Sequence, residues 1–443
     1  MANTYLSRTP SSASNRKTWT WSAWVKRSKL SNDNQVLFQA RDGSFPEKLQ
    51  FKSADILEYD HDIAGTDYTV RTAMVFRDTS AWYHIVVAKD TTQATETNRI
   101  KIYVNGEQQT LTEFQLGYPP QNYDGAINNN VAHHIGSNNG SEFFDGSMSH
   151  VHFCDGYQLA PTVFGLTDST TGEWQINTAP SFTPGTNGFT VLKDGNTITD
   201  QSANSNNFSL AGGTLTKTED NPSNVFATFN PLNQTTVGTN VYTYGNTDLD
   251  SSTNDNEFHG SSTLGMTSGK YYAEFKMKSG QYNTVGITSS PSNDARTNSH
   301  VRTSANSYGL YSYNGKLNTS TYGASYTTPN IIGVAVDLDN NKIYFSRNGN
   351  WATGSGAWGS TTWASGTGAF TITDPSLTVE GAYFFTIGDA DAGSSGKFSA
   401  NFGNGYQATT AVSSAGTNAS GNGIFEYDVP TGFTALSTKG LNL

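Results

Sequence analysis

From Ile332 the large apolar residues fall at every second position, through Val334, Val336 and Leu338, with Gly333 and Ala335 between them. A period of two puts those large residues on one face of a β-strand, and the small residues leave the other face flat enough for close packing. Asp339-Asn340-Asn341 tolerates left-handed backbone and predicts a tight turn. Ile343 and Phe345 resume the alternation, and Asn348-Gly349 supplies a second turn signal. The plan recurs far upstream. Tyr83, Ile85 and Val87 alternate, Asp90 opens a polar turn, Ile100, Ile102 and Val104 alternate back, and Asn105-Gly106 closes the unit. One such hairpin in each half predicts a pair of β-sandwich domains built on similar lines.

The chain between these hairpins reads as short strands and polar turns. Trp19, Trp21, Ala23 and Val25 alternate, with Trp24 on the other face, and Val36-Leu37-Phe38, Leu49-Gln50-Phe51, Ile56-Leu57 and Thr72 to Phe76 follow. A strand from Phe144 to Gly156 closes the first domain, at 1–160. Residues 161–232 are rich in Asn, Ser and Thr, carry alternating Phe189 and Val191 and later Phe226, and read as a mostly polar connector with short strands, packed on its neighbours. The second sandwich spans 233–443 and ends in an apolar segment, Phe425 to Leu436, expected to pack down as a C-terminal strand.

Composition supports an all-β class. Only 14% of residues are charged, while Gly (44), Tyr (22) and Phe (24) are abundant among many Ser, Thr and Asn. No charged heptad pattern suggests a coiled-coil stalk. The net charge of −11, without a Lys/Arg cluster, argues against a nucleic-acid partner, since phosphate neutralisation dominates that affinity. The N-terminus lacks the apolar core of a signal peptide, and no stretch approaches the ~20 apolar residues of a membrane helix. Synthesis in a cytoplasm without a recognisable export signal, and no membrane insertion, are therefore expected. Cys154 is the single cysteine, so no intrachain disulfide can form.

Several motifs extend this reading. Thr18-Trp-Thr-Trp-Ser-Ala-Trp-Val-Lys26, Ala81-Trp-Tyr-His-Ile-Val-Val87, Lys101-Ile-Tyr-Val-Asn-Gly106, Ile135-Gly136 and the strand into Asp155-Gly156 resemble, in order, a laminin G-like, concanavalin A-like jelly roll. The resemblance implies binding of glycans or proteins, in some members through Ca²⁺, for which no ligand set matches here residue by residue. Gly269-Lys-Tyr-Tyr-Ala-Glu-Phe275, Val285-Gly-Ile287, Tyr308-Gly-Leu310, the Ile331 hairpin and Gly396-Lys-Phe-Ser-Ala-Asn-Phe-Gly403 resemble a SPRY domain, with Ala273 where that family often has Trp. This implies recognition by loops at one end of a sandwich, without catalysis. The combination of the two domains with their connector resembles virion structural proteins of tailed bacteriophages of marine type. It implies a non-enzymatic virion surface protein, a tail fibre or adhesin or a capsid-attached protein, forming a homo-oligomer. Its expected partners are other virion proteins and a host glycan or protein.

Three constellations could carry chemistry. Trp351, Trp358 and Trp363 lie in a Gly/Ser/Thr-rich loop, where rings can stack on sugars or anchor a partner; they are the expected binding residues, the alternative being rings folded back over the core. Glu58-x-Asp60-x-Asp62 sets three carboxylates on one strand face, as a glycoside hydrolase needs, against the alternative of a solvated outer face. His150-x-His152-x-Cys154 lines one strand face with zinc-ligand chemistry, which His84 or the His133-His134 pair would have to complete in space, but a packed or hydrogen-bonded face explains the same spacing. The expected catalytic set, metal and cofactor are therefore none. A purely structural capsid or tail decoration protein and a hydrolase acting through Glu58, Asp60 and Asp62 are the competing functions.

Overall fold

The computed structural model describes residues 3–32, 34–193, 195, 197–233, 239–251, 260–297, 301–302, 304–389 and 396–442. The chain forms two compact units, Met1–Lys217 and Thr218–Leu443. Each is built on two packed, mainly antiparallel sheets, and among the described residues the α-helix is confined to Pro291–Thr297. No helix there is long and apolar enough to cross a membrane.

In the first unit a six-stranded sheet faces an eight-stranded one. Trp19, Trp21, Ala23 and Val25 of the Thr18–Arg27 strand turn into the core against Phe38, Leu49, Tyr59 and Val70 of the opposite sheet. The Tyr83–Asp90 and Ile100–Val104 strands pair as the alternation requires. In the second unit Ile331–Asp337 and Lys342–Arg347 form the expected hairpin inside a nine-stranded sheet, which packs on a six-stranded one. The turn residues take the backbone for which Asn and Gly are suited: Asn105 and Gly106 have φ of 48° and 85°, and Asn348 and Gly349 have 48° and 78°. Gly333 is small because a Cβ there would meet the Tyr272 hydroxyl and Ser346 Oγ, each at 2.5 Å.

The segment expected as a connector is shared between the units. Phe189–Val191 pairs with the Gly146–Asp155 strand, and Ser209–Gly212 pairs with Tyr5–Arg8, so both extend the first sandwich. Phe226, Ala227 and Phe229 enter the cores of the second unit. Residues 157–184 lie as a third layer over the outer face of the six-stranded sheet. Trp174 stacks on His84 (centroids 5.8 Å) and donates from Nε1 to its Nδ1, while Trp24 stacks on the same imidazole (4.9 Å). Gln158 Nε2 donates to the carbonyls of Ala88 and Asn98.

The second unit repeats this device at its C-terminus. Phe425, Val429 and Phe433 cover Tyr272, Ala335 and Tyr344 on the outer face of the nine-stranded sheet. The C-terminal segment is thus mostly an irregular layer, in which Thr434–Ala435 makes a short parallel pairing with the Lys270–Ser279 strand. It is pinned by Glu274, whose carboxylate accepts from the backbone N–H groups of Glu426 and Tyr427, both at 2.9 Å. The buried Asn422 adds hydrogen bonds to Thr434 and Ser437.

A charged pair bridges the two sheets inside the first core. Lys89 Nζ lies 2.6 Å from Glu47 Oε1, with both side chains fully buried. The same carboxylate accepts from the Tyr59 hydroxyl (2.6 Å) and the Ile127 N–H (2.8 Å). Burial alone would raise its pKa, but the Lys89 charge, the neighbouring His61 and the hydrogen bonds from Lys89 and Tyr59 hold it at about 2. Lys89→Met should therefore cost roughly 3–5 kcal/mol by stranding an ionised carboxylate. Glu47→Gln added to it should restore part of that loss in denaturant unfolding, because no charge is left to solvate and the amide oxygen still accepts from one of the two donors.

The two units should respond oppositely to mild acid. In the first, burial lowers the imidazoles of His61 and His133 from 6.5 to about 4 and those of His84 and His152 to about 3. The unfolded chain then binds more protons than the native one as pH falls below 6.5. Each imidazole costs roughly 1.4 kcal/mol of stability per pH unit in that window. In the second unit burial without a cation raises Glu274 from 4.5 to about 7, so there the native state binds more protons, and stability falls as pH rises from 4.5 to 7. Thermal scans at about pH 7.5 and 5.5, with each transition assigned by proteolysis, should show the first unit melting earlier in acid while the second holds or gains.

Candidate functional site

The outer face of the eight-stranded sheet collects polar side chains in rows set by strand register. His134, Gln39, Lys48, Asp60, Thr69 and Phe114 are successive cross-strand partners, and Gln50, Glu58, Arg71 and Thr112 form the adjacent row. Alternation explains the layer: Phe38, Leu49, Tyr59 and Val70 point inward, so their neighbours point out. Glu58 accepts from Gln50 Nε2 at 2.6 Å and from Arg71 Nε at 2.5 Å. Asp60 lies 3.6 Å from Lys48 Nζ and accepts from Thr69 Oγ1 at 2.9 Å, and burial raises its pKa against the pull of Lys48. Asp62 accepts from the Gly65 N–H at 2.7 Å, closing a turn. The three carboxylates thus share a face, each committed to a separate local partner. The Arg71 guanidinium lies 3.4 Å over the ring of Phe114, which is 43% exposed.

His150, His152 and Cys154 occupy the opposite sheet, beneath the 157–184 layer. His152 is packed between Phe164 and Phe182, and its Nδ1 is 2.9 Å from Thr190 Oγ1. Cys154 donates to the Thr183 carbonyl, and burial with the neighbouring Asp155 charge pushes its thiol up to about 12. Pairing with the Thr18–Arg27 strand shifts register between Ser149 and His152, and His150 takes φ of 50°, which breaks the even alternation of the three. His84 is held by Trp174 and by Ser22 Oγ at 2.9 Å, His133 by Asn128 and His134 by Gln39. Among the described residues no group of three or more His, Cys, Asp or Glu could hold a metal ion.

Of the three tryptophans expected as contact residues, Trp351 is buried and Trp358 and Trp363 are partly buried, each packed against other core or aromatic residues. Trp351 is 6% exposed and packs on Tyr272, joining the third layer of the second unit. Trp363 lies edge-on to Tyr344 and Phe433 in the same layer. Trp358 is half-buried against the main core, with the Arg347 guanidinium 5.2 Å from its ring. Burial of aromatic area outweighs the adaptability of the intervening Gly, Ser and Thr. Aromatic exposure lies instead on two neighbouring turns of the same sandwich. Tyr282 stands 5.4 Å from Tyr313 and 6.3 Å from Tyr311, and Tyr311 and Tyr313 are 6.1 Å apart. Sequence reasoning missed them because the two turns meet only through the pairing of Asn283–Thr288 with Ser307–Tyr311; the run Tyr311-Ser-Tyr313 was the available signal. A cleft of about 300 Å³ also lies where the C-terminal layer meets the start of the Lys270–Ser279 strand, with Tyr271, Asp339 and Phe433 on its walls.

Comparison with known proteins agrees with the two-module order. Residues 2–162 match the family model of the concanavalin A-like lectin/glucanases superfamily, and residues 270–362 match that of the SPRY domain. No curated protein matches the chain. Among solved structures, the native heptameric SAP-like pentraxin from Limulus polyphemus is similar at 15% identity, covering 35% of this chain and 71% of its own, with a TM-score of 0.27. The SPRY domain of human HERC1 is similar at 16% identity, covering 39% and 96%, with a TM-score of 0.26. Domain 4 of AbnA, a GH43 extracellular arabinanase from Geobacillus stearothermophilus solved with arabinotriose, is similar at 20% identity, covering 34% and 65%, with a TM-score of 0.27. This is an all-β chain whose N-terminal residues 2–162 are similar to the concanavalin A-like superfamily and whose residues 270–362 are similar to the SPRY domain.

Proposed function

We propose that this chain is a non-enzymatic recognition protein whose first unit binds a saccharide across the outer face of its eight-stranded sheet. The observation that carries this is the register-aligned set of partly exposed polar side chains on that face, Lys48, Asp60 and Arg71, beside the exposed ring of Phe114. An ammonium, a carboxylate and a guanidinium already held in place suit a ligand whose hydroxyl groups both donate and accept. Phe114 supplies an exposed ring for the apolar side of a sugar. The match of residues 2–162 to a superfamily of lectins and glucanases supports the ligand class.

The same geometry favours binding over hydrolysis. Hydrolysis needs two carboxyl groups facing one sugar bond, whereas Glu58 is ion-paired to Arg71 at 2.5 Å. Asp60 faces Lys48, and Asp62 serves a turn. The setting we attach to this activity is the surface of a tailed-phage virion, with a host glycan or a neighbouring virion protein as partner. That part rests on the order of modules in the sequence.

A glycan array probed with the full chain, followed by titration of the strongest ligand, tests the site. Phe114→Ala should weaken binding by roughly 1–2 kcal/mol and leave the melting temperature nearly unchanged, because the ring is exposed. Glu58→Gln should release no less reducing sugar from the bound glycan than wild type, both being inactive. Unaltered binding by Phe114→Ala, or sugar release by wild type that Glu58→Gln abolishes, would overturn the reading.

A further inference from the structure

We infer that the second unit carries its own saccharide site, a stepped platform of Tyr311, Tyr282 and Tyr313 that stacks a neutral sugar ring. The three rings are graded in depth. Tyr311 is buried, Tyr282 is half-buried and Tyr313 is 55% exposed, although centroid distances of 5.4 to 6.3 Å keep them in mutual contact. The base is held from behind: the Arg302 guanidinium lies 4.1 Å from the Tyr311 ring and donates to the Asn318 carbonyl, so its orientation is fixed within the protein. The two turns are tied as well, since Ser312 Oγ donates to the Gln281 carbonyl at 2.6 Å and accepts from the Asn283 N–H at 2.9 Å.

A cluster of this kind needs a reason to be exposed. Tyr313 shields little of the core, so its ring is not retained for burial. The side chains bordering it on these turns are Gln281, Asn314 and Lys316, all exposed, with no aliphatic side chain among them. An apolar protein anchor would lack an apolar pocket there, and no carboxylate lies on these turns to draw a cation. A neutral sugar fits both halves of this chemistry: its C–H face covers a tyrosine ring while its hydroxyls reach amides and the ammonium at the rim.

This site is independent of the sheet face in the first unit, and the test separates them. The full chain, Tyr313→Ala, Tyr282→Ala/Tyr313→Ala and Phe114→Ala are titrated with neutral oligosaccharides of hexoses and pentoses, and ring contacts are read from tyrosine side-chain resonances. We expect the double variant to lose at least ~10-fold in affinity for one sugar with its melting temperature unchanged, while Phe114→Ala keeps that affinity. The same sugar should shift the resonances of Tyr282 and Tyr313. The inference fails if no neutral sugar shifts those resonances, if the double variant binds as wild type does, or if these tyrosines are needed only for attachment to a deglycosylated protein. A variant that does not fold is replaced by Tyr313→Ser, judged by the same resonances of Tyr282.

Discussion

A two-sheet sandwich buries one face of each sheet, and the other faces must meet water or be covered. In this chain two outer faces are too apolar to stay wet. Trp24 and Val86 line one, while Tyr272, Ala335 and Tyr344 line the other. Both are roofed by segments of little regular structure, 157–184 and the C-terminal residues from about Phe425 onward. Much else follows from that constraint. It keeps His84 and His152 dry, draws Trp174 and Trp351 onto the sheets, and decides which surfaces are left for a partner.

Covering a sheet with irregular chain has a polar cost, because the roof brings backbone groups without a ladder of their own. Side chains on the sheet meet that cost locally. Glu274 takes two backbone N–H groups of the C-terminal layer, and His84 takes the Trp174 indole. These groups are titratable yet sit where ionisation is penalised, and with the core imidazoles of His61 and His133 they give the two units opposed pH responses. The inter-sheet pair of Glu47 and Lys89 obeys a different rule. There both charges are buried together, and the pair tolerates acid down to the low pKa of the carboxylate.

The hairpins were legible because alternation and Asn-Gly turns are local, and each observed pairing joins the residues that the pattern predicts. The layers were not, because a packed irregular segment has no period. Residues 161–232 look like a polar connector in composition, and only position shows that Phe164 and Phe182 enclose His152 while Phe189 and Phe208 enter the core. For the same reason the Trp351 loop misled. Glycine and serine between aromatic residues are as useful to a loop that must bend its rings onto a sheet as to one that adapts to a ligand. The His-x-His-x-Cys spacing is a further case, since His152 is packed between Phe164 and Phe182 and Cys154 donates to the Thr183 carbonyl.

Roofing also explains why the two proposed sites differ in kind. In the first unit the uncovered sheet face has its side chains aligned by register and held by neighbouring carboxylates and cations, so a ligand there meets a surface already ordered and pays little to organise it. The second unit has its nine-stranded sheet closed by the C-terminal layer and its tryptophans drawn into cores. Recognition is then left to turns, where three tyrosines from two connections must be held by their own contacts. The first arrangement favours selectivity through fixed hydrogen bonds, and the second favours tolerance, because a ring accepts the apolar face of many sugars while demanding little of their hydroxyl pattern.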